Sequence, residues 1–205
     1  MKKLLFVLFV VLGLSVSAQT KLSDVQSEAL IASLTETATS MQTMQCRFVQ
    51  QKALSMLADP MVSEGKLCYV SPDRMRWEYI KPYSSALIVN GDRIVKVTDG
   101  VEEKLDSKSS RMYQGLVSII MGSASGKKMF DTSLFDVTLY DDDTFWKAEM
   151  NPKRRDMKRM FSQLVFRFSK ETQVISQVDF VDTSGDVTSI RFTDIKLNEA
   201  VEEVF

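Results

Sequence analysis

Gly65-Lys66-Leu67-Cys68-Tyr69-Val70-Ser71-Pro72-Asp73-Arg74-Met75-Arg76-Trp77-Glu78-Tyr79-Ile80-Lys81-Pro82-Tyr83 and, directly after it, Ser84-Ser85-Ala86-Leu87-Ile88-Val89-Asn90-Gly91-Asp92-Arg93-Ile94-Val95-Lys96-Val97-Thr98-Asp99-Gly100 are the residues from which the fold can be read. Met75, Trp77 and Tyr79 alternate with Arg76 and Glu78, Pro82 stops the run, and Asn90-Gly91 reverses the chain. Short runs of period two between turn residues are antiparallel strands. Asn-Gly supplies the positive φ angles of a two-residue hairpin turn, so residues 87–89 are expected to pair back onto 93–97, and Asp99-Gly100 repeats the signal one strand later. One face of this sheet carries the large aromatics.

Upstream, the chain opens Met-Lys-Lys, runs apolar over residues 4–14 and presents Val16-Ser17-Ala18 before Gln19. A charged head, an apolar segment and a small-residue cleavage site make an export signal, so residues 1–18 are expected to be removed after Ala18. The run is shorter than the ~20 residues of a membrane span, and no cysteine follows it for lipid attachment. The mature protein, residues 19–205, is expected to be one soluble domain in a periplasm-like compartment.

Composition excludes more than it names. Lysine and arginine total 26 against 27 aspartates and glutamates, so no overall field attracts nucleic acid. The chain has no histidine. That removes Ser-His-Asp and Cys-His nucleophile pairs and histidine-ligated metals, while two cysteines cannot complete a tetrahedral site. No cofactor and no metal are expected. Asp141-Asp142-Asp143 lacks the alternating ligand spacing of a calcium loop and reads as a solvated hairpin tip. Glu78 beside Trp77 resembles a sugar subsite, yet alternation turns it away from the aromatic face and no second carboxylate accompanies it, so a glycosidase is not favoured.

Before the central stretch, residues 21–44 place Leu30, Leu34, Thr37, Met41 and Met44 at helical spacing, with Ser23, Asp24 or Ser27 available as cap. Residues 45–54 alternate into a strand, turn near Asp59-Pro60 and return through 65–70. The expected register could set Cys46 opposite Cys68, making them a candidate disulfide in an oxidising compartment; a shift of one residue would send them to opposite faces as two small buried side chains. After it, residues 102–111 are polar, Met112, Leu116, Ile119 and Ile120 fall on one helical face, and Gly122 and Gly126 break that helix. Strands resume over 135–139, 145–150, 161–168, 174–180 and 187–195, interrupted by a basic cluster of Lys153, Arg154, Arg155, Lys158 and Arg159. Such a cluster is usually a wet loop, with contact to anionic head groups or an acidic receptor as the minor alternative.

Mainly β structure, with roughly ten antiparallel strands and helices on one side, allows a sandwich, a barrel or an incomplete barrel with a helical plug. A Gly-x-Leu strand, a Pro, Arg-Trp-Glu-Tyr, a second Pro and Leu-Ile-Val-Asn-Gly-Asp, in that order, resemble the periplasmic outer-membrane lipoprotein carrier family, LolA. Phe48-Val49-Gln50 is similar to the Phe-x-Gln that follows that family's first helix, and Pro152-Lys153 falls at a matching place. Residues 183–188 and 190–198 resemble its closing hairpin. The resemblance implies a curved antiparallel sheet forming an unclosed β-barrel, covered by the N-terminal helix and by an inserted helical lid. It further implies a monomeric shuttle, with no nucleotide-binding loop of its own, that takes acylated lipoproteins from an ATP-driven inner-membrane extractor to an outer-membrane acceptor.

Phe48, Leu67, Met75, Trp77, Tyr79, Leu87 and Val89 are then the expected lipid-contacting wall, and Met112, Leu116, Ile119 and Ile120 the underside of the lid. Any of these could equally be plain core. Met75, Met112 and Met121 would add an adaptable apolar surface. The chain departs from the family at Ser71, where an Arg that helps hold the lid is common, and Arg74 is the candidate substitute. The alternative cargo is another amphiphile: a glycolipid, a pigment lipid or an acyl stress signal.

Overall fold

The computed structural model describes residues 19–103, 130–202 and 205. The export signal over residues 1–18 and the lid residues Met112, Leu116, Ile119 and Ile120 fall outside these. Helix α1 (Asp24–Ser40) starts at Ser23, whose Oγ accepts the Gln26 N–H while the Gln26 side chain accepts the Ser23 N–H. This reciprocal capping box satisfies two donors that the helix leaves open. The helix is shorter at both ends than residues 21–44. Thr20–Lys21 forms β1, Met41 is extended, and Met44 already lies in a strand. Met44 fits the helical spacing from Met41 and equally the alternation with Cys46 and Phe48, and pairing with Leu197 on one side and Tyr69 on the other decides for the strand.

Strands β2 (Thr43–Ala53), β3 (Met61–Val70), β4 (Arg74–Lys81), β5 (Ser85–Asn90), β6 (Arg93–Thr98) and β7 (Val101–Glu103) form one meander. A second runs through β8 (Phe135–Asp141), β9 (Phe145–Pro152), the short helix α2 (Arg155–Lys158), β10 (Gln163–Ser169), β11 (Ile175–Val181) and β12 (Val187–Leu197). The first hairpin forms, with Val89 opposite Ile94, but Asn90 pairs with Arg93, so its two turn residues are Gly91, at φ 59°, and Asp92; Asp99 and Gly100, at φ 50° and 80°, make the next turn as expected. Antiparallel pairing of β12 with β2 joins the meanders into one sheet of order β1-β8-β9-β10-β11-β12-β2-β3-β4-β5-β6-β7. β1 and β7 are its two edges and do not meet, so the barrel is unclosed.

Curvature has local causes. Register shifts occur between Glu64 and Gly65 against β4, between Thr193 and Lys196 against β2, and between Arg167 and Phe168 against β11. Each extra residue bends and twists its strand. Gly65 sits between Phe48 and Tyr79 in the ladder. A Cβ there would fall 2.1 Å from the Glu78 carbonyl oxygen and 2.4 Å from Cζ of Phe48, so only glycine lets the Phe48 ring cross the strand. Gly65→Ala should destabilise the protein by about 3 kcal/mol; a urea midpoint equal to that of the wild type would show that the strand can give way.

The cysteine pairing is corrected by the register. Cys46 lies opposite Leu67, and Cys68 opposite Gln45, so the two point to opposite faces and are separate thiols. The shift is one residue, enough to reverse every side chain of one strand relative to the other. Cys46 is buried beside the core, and that burial pushes its thiol up to about 12. Alkylation of native Cys46 at pH 8 should therefore run at least about a hundredfold slower than after denaturation, read by mass spectrometry. Equal rates in the two states would mean that the strand opens locally.

Candidate functional site

Alternation turns one side chain in two toward the concave face of the sheet, and on that face the residues are large. Phe48 lies 4.5 Å from Trp77 and 5.3 Å, edge-on, from Tyr79; Trp77 meets Phe192 of β12 at 6.1 Å and 80°. Rings offset and edge-on in this way gain electrostatically beyond their buried area. The Tyr79 hydroxyl donates to Gln50 Oε1 at 2.9 Å, which places its polar end away from the ring cluster.

Rings of this size on a bent sheet do not fill it. An apolar cavity remains beneath α1, where a water-sized sphere can move through about 60 Å³. Leu34, Thr37, Ala38 and Met41 form its roof; Met44, Leu67, Trp77, Phe166, Phe168, Val178, Ile190 and Phe192 are among its walls. That space suits a few water-sized spheres, and a long acyl chain would fit only if the roof moved.

The roof is lightly held. Of the seventeen residues of α1 only Leu30 and Leu34 are buried. Its polar attachment is to Gln173 in the β10–β11 turn, whose Oε1 accepts from Ser33 Oγ at 2.7 Å and from Thr37 Oγ1 at 3.0 Å. Ser33 and Thr37 are one helical turn apart, so a single carboxamide holds both. Gln173 is at φ 57°, and it too borders the cavity.

All seven expected wall residues lie within the core or packed against it, but the structure sorts them. Leu67 and Trp77 border the cavity. Phe48, Met75 and Val89 are buried in the sheet's inner layer, while Tyr79 and Leu87 are partly buried beside it. The N-terminal helix covers the sheet as expected, and sequence reasoning missed the far wall on β10, β11 and β12. A signal for the wall was present: Phe166 and Phe168, Val178 and Phe180, and Ile190 and Phe192 each repeat at i, i+2. Nothing local says that these strands curl round to face Trp77.

Other sequence features lie elsewhere. Glu78 faces outward, 3.0 Å from Arg76 Nε and 3.7 Å from Lys66 Nζ. Arg74 is on the face of β4 opposite Met75, with its guanidinium over the Phe205 ring, and so is not placed to hold a cover on the inner face. Ser71 donates its backbone N–H to Gln42. In the basic cluster, Lys153 pairs with Asp136 and Arg154 with Asp156. Asp141 pairs with Lys170 and Asp142 accepts from Gln19. No group of acidic or cysteine side chains suited to a metal occurs among the described residues.

An unclosed antiparallel barrel with an apolar cavity under a lightly held helix is the build of a protein that binds apolar molecules. The chain belongs to the LolA family, described as outer membrane lipoprotein carrier protein LolA, whose model matches residues 39–205. It is similar to the outer-membrane lipoprotein carrier proteins of Pseudomonas paraeruginosa, with 25% identity over 89% of this chain and 85% of that one, and of Pseudomonas fluorescens, with 26% identity over 92% and 87%. In fold it is similar to the Pseudomonas aeruginosa MucA/MucB complex structure, with a TM-score of 0.55 at 12% identity. That match covers 87% of this chain and 59% of the other.

If Gln173 holds the roof, Gln173→Asn, which tolerates the positive φ but is one methylene too short to reach both hydroxyls, should speed amide hydrogen exchange within α1 by about tenfold. Unchanged exchange would mean that apolar packing alone seats the helix.

Proposed function

We propose that the protein carries acylated lipoproteins through the periplasm, holding their acyl chains in the cavity between α1 and the concave face of the sheet. The supporting observation is that cavity: apolar, roofed by a helix with two buried residues, in a member of a lipoprotein-carrier family. Each acyl methylene buried in a membrane is worth about 0.8 kcal/mol, so a multiply acylated protein does not leave a bilayer unaided. A soluble carrier has to offer comparable apolar area and release it again. It needs no chemistry to do so, and a chain without histidine suits that role.

Loading exchanges the contacts of α1 with the sheet for contacts between acyl chain and sheet. The net free energy is small because similar areas are traded, which lets cargo pass onward without an energy source in this chain. An ATP-driven extractor in the inner membrane supplies cargo, an outer-membrane acceptor receives it, and the carrier works as a monomer. Met112, Leu116, Ile119 and Ile120 belong to this proposal as a second cover, on the strength of their spacing alone. A glycolipid, a pigment lipid or an acyl stress signal would occupy the same cavity, and the mass of lipid retained through purification separates these from lipoprotein.

Ala38→Phe places a ring in the roof of the cavity on a helix that tolerates it. Retention of acylated lipoprotein should fall by about tenfold or more with the thermal midpoint nearly unchanged. Retention equal to the wild type would mean that cargo binds elsewhere. Leu116→Glu should lower retention in the same way without unfolding the protein; loss of folding would make Leu116 fixed core.

A further inference from the structure

Trp77, which borders the cavity, carries a polar atom that nothing among the described residues satisfies. Trp77 is 5% exposed, and its indole Nε1 is buried without a hydrogen-bond acceptor among the described residues. Buried donors are nearly always paired, and an unpaired one calls for an acceptor beyond the described residues. The ring's aromatic neighbours are Phe48, Phe192 and Tyr79, at 4.5, 6.1 and 6.5 Å, and none of these ring faces offers an oxygen. The polar side chains that border the same cavity, Thr37 and Gln173, are already bonded to each other.

We propose that Trp77 Nε1–H is the recognition donor of the cavity, and that it binds the carbonyl oxygen of the ester or amide group at the head of an acyl chain. The inference rests on the acyl-carrier reading and deepens it: the apolar wall accepts any hydrocarbon, whereas this N–H distinguishes an acylated molecule from a plain one. A donor-only group fits this task because a carbonyl brings an acceptor and no competing donor. The rest of the wall then serves the chain, and Trp77 fixes where the chain ends. Indole suits the position because it adds a directional contact while keeping a large apolar face for the Phe48 and Phe192 rings.

The test compares two ligands of similar length, methyl laurate and tridecane, on the full protein. In ¹⁵N-labelled protein the Trp77 indole resonance, told apart from that of Trp146 by the Trp146→Phe variant, should move downfield with methyl laurate and much less with tridecane. In parallel, Trp77→Phe should reduce the ratio of ester to alkane affinity by about tenfold relative to wild type, with alkane binding nearly kept. An indole signal that responds equally to both ligands overturns the inference, as does an unchanged affinity ratio in a folded variant. The resonance is read on the wild-type ring, so the result stands even where the substitution fails to fold. If the wild type binds neither ligand, the acyl cavity itself is wrong and the inference falls with it; if both bind and the indole does not move, only the role of Trp77 is lost.

Discussion

The ladder between β12 and β2 is the constraint on which the rest depends. Each meander alone is a sheet of neighbours in sequence, with an apolar face that has nothing to cover it. Pairing Phe192 with Phe48 brings the end of the chain beside its first long strand, so that the two inner faces curve toward each other and enclose a common space. It also sets the register of β3 and β4 beyond it, and with it the position of Trp77 against Phe192. The price is loop closure over most of the chain, which long-range antiparallel pairing recovers only once the intervening strands are in place.

Within that frame the interior is deliberately incomplete in physical terms. A sheet bent by bulges next to Gly65 and around Asp194 encloses more volume than its side chains occupy. A fixed core would lose stability for every unfilled methylene. Here the deficit is covered by α1, which contributes little buried surface of its own and is tied to the β10–β11 turn by hydroxyl-to-amide hydrogen bonds. Such bonds are worth little net because water replaces them when they open. The cavity and the light attachment of its roof come from the same feature, a helix that spans the sheet without being embedded in it.

The outer face carries ion pairs of the sheet. Glu78, Lys66 and Arg76 form a ladder of ion pairs across β3 and β4, and Arg167 pairs with Asp179 across β10 and β11. Burial alone would raise the Asp179 carboxyl, and the hydrogen bonds from Arg167, Ser189 and Gln177 outweigh it and hold it below the usual carboxylate range. These contacts gather the sheet's charges on one face and leave the concave face apolar.

Sequence alone determined the strands, because period two and Asp99-Gly100 are local signals with local causes: side chains alternate across a pleat, and a two-residue turn needs positive φ. It determined the family as well, through Arg-Trp-Glu-Tyr between two prolines and the order of elements around it, and it placed Phe48, Met75, Trp77 and Val89 inside. It did not determine the register of β2 on β3, since neighbouring registers share the same alternation; one residue separated a Cys46–Cys68 pair from two thiols on opposite faces. Nor could it find the far wall of the cavity or the grip of Gln173 on Ser33 and Thr37, about 140 residues apart in the chain. Those were decided only when β12 closed onto β2, because a cavity is a property of surfaces brought together from distant parts of the chain and leaves no periodicity in any one of them.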